Sequence, residues 1–234
     1  FKIGDKVFGT TGFSFGTYAE YICLPESSND KALITMPENS SFDEAAGVPV
    51  GGLEALHFFR KSQVHKNEQV LINGAGGSIG TIAIQLFKNA GAVVTAVDTS
   101  EKFDIMRSAG ADYVIDYTKE NFASGSKNYD VVFDVVGKSP FKQTLSCLNK
   151  GGRYMLANPK LSQKILGNIF TMNKSVIYGS ADHNNQDLEY LKSLIEKNKI
   201  TPIIDQRMPL SDVQKAHDYV ESGLKKGNLI IEIQ

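Results

Sequence analysis

The sequence predicts an α/β fold in which a doubly wound parallel sheet is inserted between two parts of a β-rich domain. Two observations support this prediction. From residue 69 to residue 198, short strands alternate with helices of ten to thirteen residues, which is typical of a parallel sheet covered by helices on both faces. On either side of this stretch, short strands are separated by glycine and proline. We therefore expect an α/β domain at 49–200 and a single β-rich domain built from 1–48 and 201–234.

The first 48 residues are predicted to form short strands and turns, and the first helix begins near their end. Ser41 precedes Glu44 by three residues, a capping-box pattern in which each side chain accepts a hydrogen bond from the other residue's backbone N–H. A helix is therefore expected to start after Ser41, and a second helix is expected at 52–61. The strands are expected at 6–8, 17–22 and 32–35.

The middle of the chain repeats a strand and a helix from residue 70 onward. The apolar run Val70-Leu71-Ile72 predicts a buried strand, and the apolar residues at 79, 82, 83 and 86 that follow it fall on one helical stripe. The other elements expected in the α/β domain are strands at 93–97, 113–115, 131–133, 154–156 and 175–178 and helices at 100–108, 141–148 and 186–198. In the β-rich domain that follows, we expect a strand at 202–204, a helix at 211–221 and a strand at 228–233.

Composition excludes several classes of protein. The 25 Lys and Arg residues balance 26 Asp and Glu residues, so the basic excess of a nucleic-acid-binding protein is absent. The two cysteines, Cys23 and Cys147, share no close spacing and cannot build a disulfide framework or a four-cysteine zinc site. The uncharged run at 69–87 contains four glycines and an asparagine, which indicate a strand, a turn and a helix instead of a membrane span. The first residues do not resemble a signal peptide, so we expect a soluble cytoplasmic protein with no nucleic-acid or membrane partner.

The most informative motif is the turn between the first strand and the first helix of the α/β domain, Gly74-Ala75-Gly76-Gly77-Ser78-Ile79-Gly80. Read as Ala75-x-Gly77-x-x-Gly80, it matches the dinucleotide-binding fingerprint, in which small residues let the backbone approach a pyrophosphate and let the helix pack against the strand. Asp98 ends the next strand, 21 residues after Gly77, where a carboxylate that binds the ribose belongs. The motif therefore predicts a dinucleotide site.

Three other interpretations of this turn remain open. A helix-packing turn beside a surface aspartate needs no ligand. Gly76-x-Ser78-x-Gly80 also fits the nucleophile elbow of a hydrolase, with Asp182 and His217 following in suitable order, although this leaves Asp98 unexplained and His217 lies in a helical pattern. A methyltransferase uses a similar turn and acid but does not predict a split β-rich domain. A short-chain dehydrogenase is excluded, because no tyrosine has a lysine four residues later.

The glycine turn and several motifs elsewhere in the chain resemble the medium-chain dehydrogenase/reductase family, in its zinc-independent, quinone-oxidoreductase-like (zeta-crystallin-like) branch. That family has a GroES-like catalytic domain whose chain enters a Rossmann domain and then returns, which agrees with the predicted insertion. Its members carry further residues before the equivalent of Phe1, so the resemblance implies that the N-terminal part of the GroES-like domain is missing here. Besides the glycine turn, the matching motifs are 4–9, 16–21, 44–49, 110–117, 134–137 and the tail 204–233.

The resemblance implies a zinc-independent oxidoreductase that transfers hydride from NAD(P)H to a quinone or an α,β-unsaturated carbonyl. The cofactor carries this chemistry, and the protein supplies position and electrostatics. Zinc-dependent relatives have a cysteine in the stretch that corresponds to Val-Pro-Val-Gly at 48–51, so no metal site is expected. The catalytic donor is not identified, and Tyr18 is interpreted as framework. The alternatives are a cofactor-binding protein with a non-catalytic role and a relative of the zinc-type alcohol dehydrogenases.

The resemblance also assigns the contacts of the cofactor, and it implies a homodimer. A 2′-phosphate close to the carboxylate of Asp98 meets a like charge, whereas Lys102 offsets part of that repulsion. We therefore expect a preference for NADH over NADPH. The expected cofactor-binding residues are Gly74, Gly76, Gly77, Ser78 and Ile79 at the pyrophosphate, Asp98 at the adenosine ribose, Lys102 and Tyr117 where NADPH-specific relatives hold the adenosine 2′-phosphate, and Val136, Gly137 and Glu54 on the nicotinamide side.

Overall fold

The computed structural model describes residues 1–12, 14–25, 31–124, 128–163 and 173–233. The chain forms two compact units: the inserted unit, Glu54–Ala181, and the terminal unit, Phe1–Leu53 with Asp182–Gln234. One unit is thus inserted in the chain of the other. In chain order the elements are β1 Val7–Thr10, β2 Ala32–Thr35, α1 Phe42–Ala46, α2 Pro49–Ser62, β3 Gln69–Asn73, α3 Ser78–Asn89, β4 Val93–Asp98, α4 Phe103–Ser108, β5 Tyr113–Asp116, β6 Tyr129–Asp134, α5 Phe141–Ser146, β7 Leu148–Leu156, β8 Ser175–Tyr178, α6 Asn185–Glu196, β9 Ile204–Pro209, α7 Val213–Glu221 and β10 Asn228–Glu232.

The inserted unit is built on a parallel sheet of six strands in the order β5-β4-β3-β6-β7-β8. Numbered along the sheet's own strands, this is the order 3-2-1-4-5-6 of a Rossmann fold. The predicted doubly wound α/β class is therefore confirmed. The strand order reverses between β3 and β6, whose last residues, Asn73 and Asp134, are register partners. Open α/β sheets bind their ligands at the carboxyl ends of the strands beside such a switch point.

Strand β3 lies between β4 and β6 and is buried on both faces. Val70, Leu71 and Ile72 expose no surface, and Ile82 and Leu86 of the predicted stripe on α3 are buried as well. Burying a Val, Leu or Ile side chain contributes about 1.5–3 kcal/mol. The turn from β3 to α3 therefore joins two elements that are fixed by the core.

An ion pair ties β7 to the segment that enters β3. The guanidinium of Arg153 donates to both carboxylate oxygens of Glu68, at 3.0 and 2.6 Å, and its Nε donates to the carbonyl of Ser62 at 2.9 Å. The backbone N–H of His65 donates to the same carboxylate at 2.8 Å. Burial alone raises the pKa of Glu68, but the hydrogen bonds from Arg153 and His65 outweigh it and hold the pKa below its usual value.

The terminal unit contains two small sheets, antiparallel β1–β2 and parallel β9–β10. The predicted capping box is present, because the N–H of Glu44 donates to Ser41 Oγ at 3.3 Å and the N–H of Ser41 donates to Glu44 Oε2 at 2.8 Å. It starts α1 as expected.

Two sequence predictions for the terminal unit are wrong. Residues 17–22 form no strand: Tyr18, Tyr21 and Ile22 are exposed, and no strand in the described part of the chain pairs with them. The strand expected at 202–204 lies at Ile204–Pro209 instead. It starts there because Ile204 is the first residue in register with β10, and Pro202 has no N–H to contribute to a ladder.

Candidate dinucleotide-binding site

The glycine turn is anchored to the end of β4. The N–H groups of Gly74 and Ala75 both donate to the carbonyl of Val97, at 3.0 and 3.1 Å. Gly74 has a φ of +81°, in the left-handed region that favours glycine. The chain therefore leaves β3 in a sharp turn and enters α3 at Ser78.

The other three glycines of the turn differ in the space around them. A Cβ at Gly80 would lie 2.4 Å from the carbonyl oxygen of Gly74, and a Cβ at Gly76 would lie 2.5 Å from Lys102 Cδ. At Gly77 the nearest atom to such a Cβ is the same Gly74 oxygen, 3.7 Å away. Gly80 thus brings helix and strand together. A Cβ at Gly77 would make only ordinary van der Waals contact with the protein, so this part of the backbone is not tightly packed against another element, as a backbone that receives a pyrophosphate requires.

The N-terminus of α3 faces this turn. Gly77 is its N-cap and has no side chain to cap the helix. The first intrahelical hydrogen bond runs from the N–H of Thr81 to the carbonyl of Gly77, at 3.0 Å, so the N–H groups of Ser78, Ile79 and Gly80 precede it. Such leading N–H groups and the helix dipole attract anions.

Asp98, the last residue of β4, has its carboxylate turned towards the glycine turn. Its Oδ2 accepts from the N–H of Gly76 at 3.0 Å, and its Oδ1 accepts from the N–H of Thr99 at 2.9 Å. Lys102 Nζ lies 3.2 Å from Oδ1, and the two side chains are only 8% and 9% exposed. Sequence spacing places Asp98 correctly at the strand end, but these contacts with Gly76 and Lys102 emerge only from the structure.

Tyr117 follows β5 and lies next to the end of β4, since its N–H donates to the carbonyl of Asp98 at 3.3 Å. Its side chain is exposed. The preceding residue, Asp116, is buried and accepts from the hydroxyl and the N–H of Thr118, at 2.6 and 2.9 Å. The hydroxyl of Thr118 holds the pKa of Asp116 well below its usual range. Lys119 Nζ, 3.2 Å away, completes a second ionised pair beside Asp98–Lys102.

Val136 and Gly137 follow β6 on the other side of the switch point. The side chain of Val136 packs against the glycine turn, because a Cβ at Gly74 would lie 2.6 Å from Val136 Cγ2. Gly137 has a φ of +72°, and a Cβ there would lie 2.1 Å from the carbonyl oxygen of Asn158. The structure therefore brings Gly74 and the predicted nicotinamide-side loop into direct contact.

The carboxylate behind this loop is not among the site residues that the sequence predicts. Asp134 ends β6, is completely buried, and accepts hydrogen bonds from the N–H groups of Val136 and Gly137 at 3.1 and 2.8 Å. It also accepts from the side-chain amide of Asn73, the last residue of β3, at 3.0 Å. The sequence shows that Asp134 ends an apolar strand, but it does not show which donors converge on its carboxylate.

Glu54 lies in α2, and its Oε1 accepts from the N–H of Ala181 at 3.1 Å. Both residues belong to the inserted unit. The carboxylate is thus partly engaged by backbone, and no contact joins it to the glycine turn among the hydrogen bonds of the described residues.

The nucleophile-elbow interpretation gains no support from the terminal unit. His217 lies within helix α7, and its Nε2 is 3.0 Å from the hydroxyl of Tyr18. The two rings also meet edge to face, with centroids 5.8 Å apart. This exposed pair accounts for His217 without a catalytic serine.

The donor set of the described residues does not fit a zinc ion. Across 1–12, 14–25, 31–124, 128–163 and 173–233, no three His, Cys, Asp or Glu side chains are grouped so that they could hold a metal. In the same ranges, each helix is too short or too polar to cross a membrane.

The fold and the turn agree with what comparison with known proteins finds. The family model described as zinc-binding dehydrogenase matches residues 109–231, more than half of the chain. The chain belongs to this family. The predicted resemblance to medium-chain dehydrogenases/reductases is thereby confirmed.

Relatives in this family include reductases and quinone oxidoreductases. A 2-methylene-furan-3-one reductase of Solanum lycopersicum is 30% identical over 241 residues, which cover 98% of this chain and 58% of that protein. The chloroplastic quinone-oxidoreductase QR1 of Triphysaria versicolor is 31% identical over 248 residues, which cover 99% and 74%. The structure of the quinone oxidoreductase from Coxiella burnetii matches with a TM-score of 0.89 at 29% identity, covering 100% of this chain and 74% of that one. The chain thus spans little more than half the length of the first of these relatives.

Proposed function

We propose that the protein that carries this chain is an NAD(P)H-dependent oxidoreductase, which transfers hydride to a quinone or to an α,β-unsaturated carbonyl. The observation that carries the proposal is the glycine turn at the switch point, where a Cβ would be too close to its neighbours at Gly76 and Gly80 but would make only ordinary van der Waals contact at Gly77. The names of the relatives, a furanone reductase and a quinone oxidoreductase, support the substrate class.

The pyrophosphate is proposed to bind the backbone at the start of α3. The N–H groups of Gly77, Ser78 and Ile79 lie at the positive end of the helix dipole, where phosphate oxygens are stabilised. Any side chain at residue 77 would fill the space that a phosphate needs. Gly74 and Gly76 serve the same site by allowing the turn and by admitting the stem of Lys102.

The nicotinamide is proposed to lie against Val136 and Gly137. When bound, the dihydronicotinamide supplies the hydride. Val136 exposes 43% of its surface beside the glycine turn, so its apolar side chain can cover one face of the ring and exclude water. Glu54 has Oε1 engaged by Ala181, so its proposed contact with the amide NH₂ of the nicotinamide uses the second oxygen.

A modest preference for NADH over NADPH is part of the proposal. Asp98 carries a charge that repels a 2′-phosphate at the adenosine ribose. Lys102, 3.2 Å from Asp98 Oδ1, compensates much of that charge. Tyr117 is exposed next to the same strand end and is proposed to pack against the adenosine.

The test is steady-state oxidation of NADH and NADPH by the full polypeptide that carries this sequence, with a panel of quinones and enones, alongside titration of each cofactor. Binding with turnover on one of the two substrate classes supports the proposal. Binding without turnover favours a non-catalytic role, and absence of binding contradicts the proposal. Light scattering of the same preparation tests the homodimer that family resemblance suggests.

A further inference from the structure

The carboxylate of Asp134 is the meeting point of five hydrogen-bond donors. Its Oδ1 accepts from the N–H groups of Val136 and Gly137 and from Asn73 Nδ2, at 3.1, 2.8 and 3.0 Å. Its Oδ2 accepts from the N–H of Ser139 and from the hydroxyl of Tyr154, both at 3.2 Å. The side chain exposes no surface to solvent.

An ionised carboxylate suits this place because it only accepts hydrogen bonds. Burying such a charge is costly unless it is well solvated by donors, and hydrogen bonds to a charged group are stronger than neutral ones. Three of the five donors are N–H groups of the loop that follows β6. The conformation of that loop is therefore set by the charge behind it.

The same carboxylate connects both sides of the switch point. Asn73 directly precedes Gly74, and its amide also donates to Ser139 Oγ at 2.9 Å. The loop also packs against Gly74, because a Cβ at Gly74 would lie 2.6 Å from Val136 Cγ2. A loop held in this way has little freedom to move Val136 relative to the glycine turn.

We propose that Asp134 is a positioning residue for the nicotinamide half of the cofactor: its carboxylate holds Val136 and Gly137 in the conformation that receives the ring. This inference rests on the proposed function. It predicts that loss of the charge affects the nicotinamide half selectively, because the pyrophosphate is proposed to bind the N-terminus of α3, and none of the hydrogen bonds given above for Asp134 reaches residues 77–80.

The experiment compares NADH with ADP-ribose, which lacks the nicotinamide, as ligands of wild type and Asp134→Asn in titration calorimetry. Asparagine has the same shape as aspartate, but an NH₂ group replaces one of the two oxygens that accept hydrogen bonds. The NH₂ group then faces N–H donors, so the loop loses at least one hydrogen bond to a charged acceptor. We expect NADH to bind about tenfold or more weakly and ADP-ribose to change by less than about threefold. Asp130→Asn is the matched control. Asp130 is the second residue of β6, at the opposite end of the strand from Asp134. Its carboxylate likewise accepts hydrogen bonds, from the N–H of Gln69 and from Asn149 Nδ2, at 2.8 and 2.7 Å.

Tyr154→Phe extends the test if Asp134→Asn does not fold, because it removes one donor and keeps the carboxylate. It is expected to weaken NADH binding by about threefold and to leave ADP-ribose binding unchanged. Equal losses for both ligands, or unchanged NADH affinity in a folded variant, would overturn the inference. A wild type that binds neither ligand would instead overturn the proposed function, and this inference would fall with it.

Discussion

Asp98 holds the backbone of Gly76, with its Oδ2 3.0 Å from the nitrogen. The carboxylate at the end of β4 therefore holds the glycine turn directly, in addition to its proposed contact with a ribose. Its other oxygen is paired with Lys102 at 3.2 Å, and the stem of that lysine covers Gly76. The charge that is proposed to disfavour NADPH is thus paired with a lysine within the protein.

The first prediction concerns this pair. The wild type is expected to prefer NADH by less than about tenfold in kcat/KM, a difference below about 1.4 kcal/mol. Lys102→Met leaves Asp98 uncompensated and should increase the preference for NADH. Asp98→Asn removes the charge but keeps an amide oxygen that can accept from Gly76, and should shift the ratio towards NADPH. The measurement is kcat/KM with both cofactors for the three proteins.

Lys88→Met is the matched control for the lysine. Lys88 pairs with Asp112 at 2.7 Å, and Asp112 accepts from the N–H of Val94 near the start of β4, away from the glycine turn. Its substitution should leave the cofactor ratio unchanged. A tenfold advantage for NADPH in the wild type would rule out the proposed preference.

The second prediction separates the two roles of glycine in the turn. Gly77→Val should abolish cofactor binding and leave the melting temperature nearly unchanged, because a Cβ at Gly77 would lie no closer than 3.7 Å to another atom and its φ of −92° suits any residue. Gly80→Ala should instead destabilise the protein by about 1–3 kcal/mol, since its Cβ would lie 2.4 Å from a backbone oxygen. Thermal unfolding and NADH titration of both variants test this. Unchanged affinity in folded Gly77→Val would show that the turn serves packing alone.

The parallel α/β class of the sheet and the position of the turn could be predicted because they depend on periodicity and spacing. Alternating strands and helices define a parallel sheet, and the fingerprint defines the first turn, so Asp98 falls at the end of β4 without knowledge of the structure. The segment 17–22 shows the limit of this approach. Its alternation suits a strand, but a strand also needs a neighbour to pair with, and local sequence does not supply one.

The direction of side chains at the site could not be predicted. Spacing places Asp98 at a strand end, but whether its oxygens face a ribose or Gly76 depends on the short 3₁₀ turn Ser100–Lys102, which brings Lys102 over the turn. The proposed role of Asp134 depends on donors from three separate places in the chain: Asn73, the loop after β6, and Tyr154 near the end of β7. Convergence of this kind has no signature in a single sequence.

The third prediction is that the purified full polypeptide holds no stoichiometric zinc. The described residues offer no group of three ligands, and 48–51 supplies valine, proline and glycine where a third ligand is needed for a catalytic zinc. Metal analysis should find well below one zinc per chain, and chelation should leave quinone or enone reduction intact. One tightly bound zinc per chain, with activity lost on chelation, would contradict the prediction.

The fourth prediction concerns stability against pH and rests on Glu68. Because the folded-state pKa of Glu68 is lowered from 4.5, its ion pair with Arg153 contributes fully above the unfolded-state pKa and is lost as the pH falls through the folded-state pKa. Glu68→Gln should therefore lower the free energy of unfolding by about 1–2 kcal/mol at pH 7, and the gap to wild type should shrink below about pH 4.5. Denaturant unfolding from pH 7 to pH 3 measures both. Asp212→Asn removes an exposed ion pair with Lys215 and is the control, so its free energy of unfolding should stay within about 0.5 kcal/mol of wild type. If the difference in unfolding free energy between Glu68→Gln and wild type stays constant down to pH 3, the ionised pair is not the source of that difference.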